Sequence, residues 1–118
     1  MLNVLFGNDN AERVLQYLLA KENGYLSEIS TFYDVAPSII KKQVDKFENG
    51  NVIVGKNIGR TRVFELNKRY PFYKELVALL KKARMAYPEE LREELLSKKR
   101  DRFRKKDKTL EYKNEGTK

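Results

Sequence analysis

The apolar positions change their spacing along the chain, and each change marks a segment. Ala11, Val14, Leu15, Leu18 and Leu19 recur at helical intervals and form one stripe. Asn8, Asp9 and Asn10 precede it; such side chains accept hydrogen bonds from the open amides of a first helical turn, and Asn23-Gly24 closes the segment. A second, short helix is predicted from Ser27 as N-cap through Phe32, with Glu28 in the turn where the helix dipole favours a negative charge. Asp34-Val35-Ala36 breaks that pattern, and Pro37 restarts a helix at the position where its missing N–H costs nothing. Over residues 37–49, Ile40, Val44 and Phe47 define one buried face. At about 100° per residue, Ser38, Lys42, Asp45 and Asn49 lie opposite that face, with Lys41 and Lys46 on its flanks.

Beyond Gly50 the period shortens. Residues 51–56 and 61–66 are rich in β-branched and aromatic side chains, and residues 57–60 between them predict a hairpin with a four-residue turn. Val52 and Val54 on one strand, and Phe64 and Leu66 on the other, are the expected inward set. After a linker at 67–70, Pro71 opens a helix to about Arg84. Phe72, Leu76, Leu79, Leu80 and Ala83 form its stripe, which Tyr73 and Val77 widen. A stripe this broad predicts burial on two sides, one against the domain and one against a second subunit. A last, charged helix starts at Pro88-Glu89-Glu90, carries Leu91, Leu95 and Leu96, and is expected to continue towards Phe103. Residues 109–118 have little to bury and predict a disordered tail. The expected organisation is therefore a mainly α chain with a small β-hairpin. Residues 1–70 form one domain, 71–108 supply helices for dimerisation and a basic arm, and 109–118 are tail.

The 118 residues hold 25 Lys and Arg against 17 Asp and Glu, a net charge of +8, and its placement matters more than its size. Residues 1–40 hold Arg13 and Lys21 against Asp9, Glu12, Glu22, Glu28 and Asp34, a balance of −3. Residues 41–70 carry +5 and residues 71–118 carry +6. The +5 block coincides with the third helix and the hairpin. With no Cys and no His, disulfides, thiolate or imidazole zinc sites and catalysis by a Cys nucleophile or His base are excluded. The chain is not expected to be an enzyme or to need a cofactor or metal; Glu89, Glu90, Glu93 and Glu94 are ordinary acids of an exposed first turn. No run approaches the roughly 18 apolar residues of a membrane span, and no signal peptide opens the chain, so a cytoplasmic location without membrane contact is expected.

Helix, short helix, tight turn, helix and hairpin, in that order, are the parts of a winged helix-turn-helix. A major groove about 12 Å wide accepts a helix of this size, and the hairpin can lie on phosphate or in the minor groove. The candidate DNA contacts are Ser38, Ile39, Lys41, Lys42, Asp45 and Lys46 on the third helix, with Lys56, Arg60, Thr61 and Arg62 on the wing. Lys reaches guanine edges or phosphates, and Ser either. Ile39 suits a thymine methyl or an intramolecular contact; Gln43 suits adenine, but its wheel position leans towards the core. The expected dimer interface is Phe72, Tyr73, Leu76, Val77, Leu80, Leu91 and Leu95. Tyr17, Tyr25, Phe32 and Tyr33 read as packing residues rather than base-stacking platforms. Residues 98–108, with eight bases and two acids, suit a second phosphate contact or a protein partner.

The runs Leu5-Phe6-Gly7, Arg13-Val14-Leu15, Glu28-Ile29, Pro37-Ser38, Phe47-Glu48 and Gly59-Arg60-Thr61-Arg62, at these spacings, resemble small prokaryotic winged-helix transcriptional regulators. The likeness is to the arsenic-repressor-like group, and to members whose wing ends in an Asn…Arg-Tyr-Pro segment, here Asn67, Arg69, Tyr70 and Pro71. It covers roughly residues 4–84. The resemblance implies sequence-specific binding of double-stranded DNA, commonly by a homodimer, with the third helix reading bases. Metal-responsive members use Cys and His ligands, so that kind of sensing is not implied here. The alternative is a winged helix that serves protein interaction, as an adaptor or antitoxin-like partner, through the 72–83 stripe and the Leu91, Leu95 and Leu96 helix.

Overall fold

The computed structural model describes residues 1–97; the basic arm and disordered tail expected at 98–118 lie outside them. Six helices and one hairpin follow in order: α1 Asn3–Phe6, α2 Asp9–Lys21, α3 Leu26–Tyr33, α4 Pro37–Asn49, β1 Ile53–Ile58, β2 Thr61–Leu66, α5 Tyr73–Arg84 and α6 Glu89–Leu96. The centre is α2. Asn8, in extended backbone, caps it by accepting from the Ala11 amide at 2.8 Å. The other five helices and β2 all pack on α2. Its apolar stripe is therefore only part of what it buries: Glu12, Gln16, Tyr17 and Lys21 are buried as well.

The helix-turn-helix is set by local chemistry. Tyr25 is extended, and its amide donates to the Glu28 carboxylate three residues on, at 3.3 Å. This starts α3 two residues before the expected Ser27 cap. Asp34 then takes a left-handed conformation (φ 56°, ψ 50°) and the Val35 amide returns to the Ser30 carbonyl at 3.0 Å, which closes α3 and turns the chain. Pro37 opens α4, whose bounds are those predicted, with Ile40, Gln43, Val44 and Phe47 buried. Ile29, Ile40 and Val44 join Leu15 and Leu18 in the core.

In the hairpin two expectations are corrected. Pairing runs out to Ile58 opposite Thr61, so the turn is the two residues Gly59-Arg60 rather than four. Gly59 has φ of 62°, and a glycine at the first central position is the two-residue turn whose twist suits the flanking strands. Phe64 and Leu66 face inward as expected, but their cross-strand partners are Gly55 and Ile53. Residues paired directly across share a face, so Val54 points outward, 37% exposed. Val52 packs against the core from just outside the strand. Gly24 adds one more pairing, exchanging both backbone hydrogen bonds with Phe64, and ties the α2–α3 turn to the wing.

The C-terminal helices fold back. Leu80 and Ala83 of α5 and Leu95 of α6 are buried, while Tyr73, Leu76 and Val77 pack partly against the core. Leu80 and Leu95, expected at a subunit interface, thus have their surfaces covered by the chain's own helices. Phe72, just before α5, is 62% exposed. Helix α6 ends at Leu96 because Ser97 is extended (ψ 148°), short of the continuation expected towards Phe103. The sequence pattern does not predict the four-residue α1; Leu2 before it is buried, whereas Val4 and Leu5 are exposed. The arrangement of α2, α3, α4 and the β1–β2 hairpin is a winged helix-turn-helix, mainly helical. No helix among the described residues is long and apolar enough to cross a membrane.

Candidate nucleic-acid interface

Burial of Ile40, Val44 and Phe47 forces the opposite side of α4 outward, and Ser38, Ile39, Lys41, Lys42, Asp45 and Lys46 are all exposed. On the wing, Lys56, Arg60, Thr61 and Arg62 are exposed too. All three acids of the basic block are taken by bases. Asp45 pairs with Lys41 at 2.7 Å, Glu65 with Lys56 at 3.0 Å, and Glu48 with Arg62. What remains is net cationic. Lys42 and Arg60 have no hydrogen bond or ion pair among the described residues, one on the helix face and one at the wing tip. Lys46 differs from both: its ammonium donates to the Phe6 carbonyl at 3.0 Å, satisfying an open carbonyl at the end of α1, and lies over the Phe47 ring.

An open groove of about 530 Å³ runs between α4 and the wing. It brings together Lys41, Asp45 and Glu48 from the helix with Arg60, Thr61 and Arg62 from the hairpin. Ser38, Ile39, Lys42 and Lys46 belong to the rest of the α4 surface, and Lys56 lies farther up the wing, outside the groove lining. The third wall is the start of α3, Tyr25, Leu26 and Ser27. From sequence Ser27 reads only as a cap; the two-residue shift in where α3 begins hides its exposure. Gln43 is buried, consistent with its lean towards the core. Chemically the groove offers ammonium, guanidinium and hydroxyl donors, a set that recognises phosphate oxygens and base edges.

A second polar cluster occupies the other side of α2. The buried Glu12 carboxylate accepts from the Leu2 amide at 2.7 Å and from the Tyr87 hydroxyl in the α5–α6 turn. Burial, then the hydrogen bond and charge of Glu12, push the Tyr87 phenol above its ordinary range. Tyr33 is pushed up by its own burial and by Tyr87, and Arg13 stacks over its ring. Glu12, Arg13, Tyr33 and Tyr87, with Asp9 and Leu91, line an open cavity of about 230 Å³. The cluster ties α1, α2 and the α5–α6 turn together.

No family model matches the sequence, and no curated protein matches it. Among solved structures the chain is similar to ZitR of Lactococcus lactis. A singly substituted mutant of that protein is 16% identical, with a TM-score of 0.49 over 90% of this chain and 75% of that one. A doubly substituted mutant is 16% identical, with a TM-score of 0.48 over 89% and 75%. A third ZitR structure, described as a zinc-responsive MarR family member, is 17% identical, with a TM-score of 0.47 over 87% and 73%. None of the three is described as arsenic-repressor-like. At these values the likeness does not extend to a shared site or ligand.

Proposed function

We propose that this chain is a DNA-binding transcriptional regulator that presents α4 to the major groove of double-stranded DNA and its wing to the adjacent backbone or minor groove. The observation that carries the reading is the charge left over once every acid of the helix–wing block is paired: among the described residues Lys42 and Arg60 stand without partners, on two elements that flank one groove. In this reading Arg60, Thr61 and Lys56 hold phosphates, while Ser38, Ile39, Lys41 and Lys42 face base edges. Ser27 joins the phosphate contacts, since the first helix of such a motif crosses the backbone. Lys46 and Asp45 contribute field rather than direct contact: the Lys46 ammonium is held at the Phe6 carbonyl, and the Asp45 carboxylate is repelled by phosphate. A DNA target implies action in the compartment that holds the genome, the cytoplasm for the prokaryotic proteins this sequence resembles.

The protein acts as a homodimer in this proposal. Support comes from the apolar surface of the terminal helices: Val4 at 87% exposure, Leu5, Phe72 and Met85, with Tyr73, Leu76, Val77 and Leu91 only partly covered. The same surface would serve the alternative, a protein-interaction module, and one experiment separates them. Sedimentation of the purified chain with and without a random-sequence duplex is expected to show a dimer that shifts onto DNA. Binding followed against salt should give a log–log slope of about −0.9 for each phosphate contact. A monomer indifferent to duplex DNA at low salt would overturn the proposal.

A further inference from the structure

Arg62 carries the same phosphate-binding guanidinium as Arg60 and is partly exposed, yet it is engaged by the chain itself. One terminal nitrogen donates to the Glu48 carboxylate on α4, and the other donates to Asn57 Oδ1 across the hairpin at 3.2 Å. The group also lies over the Phe64 ring, 5.7 Å from its centre. Room for it is made by Gly55 on the opposite strand. A Cβ built there would stand 2.8 Å from Arg62 Nε and 2.9 Å from its Cζ and Nη2, so any larger residue would displace the guanidinium. Four features on three elements thus converge on one side chain. The planar fork of Arg reaches Glu48 and Asn57 at once, which a single Lys ammonium on a flexible stem does far less well.

Resting on the DNA-binding reading above, we infer that Arg62 is a positioning residue: it clasps the wing to α4 through Glu48, and so sets where Arg60 meets the DNA backbone. The charge balance agrees. Beside Glu48 the guanidinium adds little net positive field, and swinging it onto a phosphate would leave an uncompensated carboxylate facing DNA. Arg60 carries no such partner among the described residues and remains the phosphate contact of the wing tip.

The sign of one substitution separates the two roles. If Arg62 grips phosphate, Glu48 competes with DNA, and Glu48→Gln strengthens binding. If Arg62 is a clasp, Glu48→Gln weakens it. We expect Glu48→Gln and Arg62→Ala each to weaken duplex binding by about fivefold, the scale of one partly exposed pair, with the salt slope unchanged. Arg62→Lys should fall close to Arg62→Ala, whereas Arg60→Ala should reduce the slope by about 0.9. Tighter binding by Glu48→Gln, or a slope reduced by about 0.9 in Arg62→Ala, would overturn the inference.

A measurement without DNA keeps the clasp separate from the function. Hydrogen exchange of the Lys56, Ile58 and Val63 amides, which the register places in the hydrogen-bonded pairs of the hairpin, should accelerate in the free protein in Glu48→Gln and Arg62→Ala but not in Arg60→Ala. Unchanged exchange in the first two variants would sink the clasp, whatever the DNA result. Should the wild-type protein fail to bind duplex DNA while exchange still accelerates, the clasp stands, and the DNA-binding reading falls together with the positioning role that rests on it.

Discussion

Charge is handled in opposite ways on the two sides of α2. On the α4–wing side, ion pairs lie at the surface, with Lys41 and Asp45 at 60% and 50% side-chain exposure. On the α6 side, charged groups leave water and bond to backbone. Lys21 is buried and donates to the Glu94 and Ser97 carbonyls at 2.9 and 2.6 Å, while Glu12 is buried and accepts from the Leu2 amide. Surface pairs contribute about 0–1 kcal/mol, so the first side can be recharged with little effect on folding. A buried polar group stripped of its partner costs about 1–3 kcal/mol, more if charged, so the second side holds the helices together. Substitutions should therefore sort by region: binding without stability on one side, stability without a change in salt slope on the other.

The hardest test of that division is in α5, whose apolar stripe predicts an interface. Leu80 is fully buried within the chain, and Leu80→Ala is expected to cost about 2–5 kcal/mol in urea unfolding, independent of protein concentration. A loss that vanishes at high protein concentration would return Leu80 to a subunit interface. Phe72→Ala, at an exposed position of the proposed dimer surface, should weaken association in sedimentation while changing the unfolding of the separate subunit by no more than about 0.5 kcal/mol. Next in size is Glu12→Ala, which leaves the Leu2 amide and the Tyr87 hydroxyl without their acceptor and should cost about 1.5–3 kcal/mol. Lys21→Met should cost less, about 1 kcal/mol, because Met keeps the buried apolar stem and the Glu94 carbonyl still accepts from the Ser97 amide. Both are read by thermal or urea unfolding. An unfolding curve for either that matches the wild type would mean that the α6 side is no more than surface.

The sequence makes α2 and α4 legible because each is long, periodic and marked by local signals, Asn8 for one and Pro37 for the other. It does not make the hairpin register legible. Val52, Ile53 and Val54 are all apolar, so alternation cannot say which face turns inward; the Gly59-Arg60 turn decides it by fixing Gly55 opposite Phe64. Helix α1, with four residues, is too short to display a period. The breadth of the α5 stripe is visible in the sequence, but not that the chain's own core takes up Leu80 and Ala83. The candidate site divides likewise. Lys41 and Asp45 are four apart on one helix, so their pairing follows from spacing. Glu48 to Arg62 and Lys46 to the Phe6 carbonyl join separate elements, and neither a helical wheel nor strand alternation contains them.

The smallest expected effect on folding gives the sharpest comparison within the proposed DNA face. Asp45 and Glu48 lie one turn apart on α4, and both line the groove. Asp45 holds Lys41, an exposed pair that fixes nothing else; Glu48 holds Arg62, which bridges to the wing. Asp45→Asn should alter unfolding by no more than about 0.5 kcal/mol. It also removes a negative charge from the face that meets phosphate and releases the Lys41 ammonium. Duplex DNA should then bind about two- to fivefold more tightly at about 0.1 M salt, with the gain shrinking as salt rises. Glu48→Gln removes the same charge from the same groove and is expected to act in the opposite direction. If both substitutions tighten binding alike, electrostatics alone governs the groove and the wing needs no clasp. Opposite signs from two neutralisations one helical turn apart can come only from a difference in what each acid holds in place.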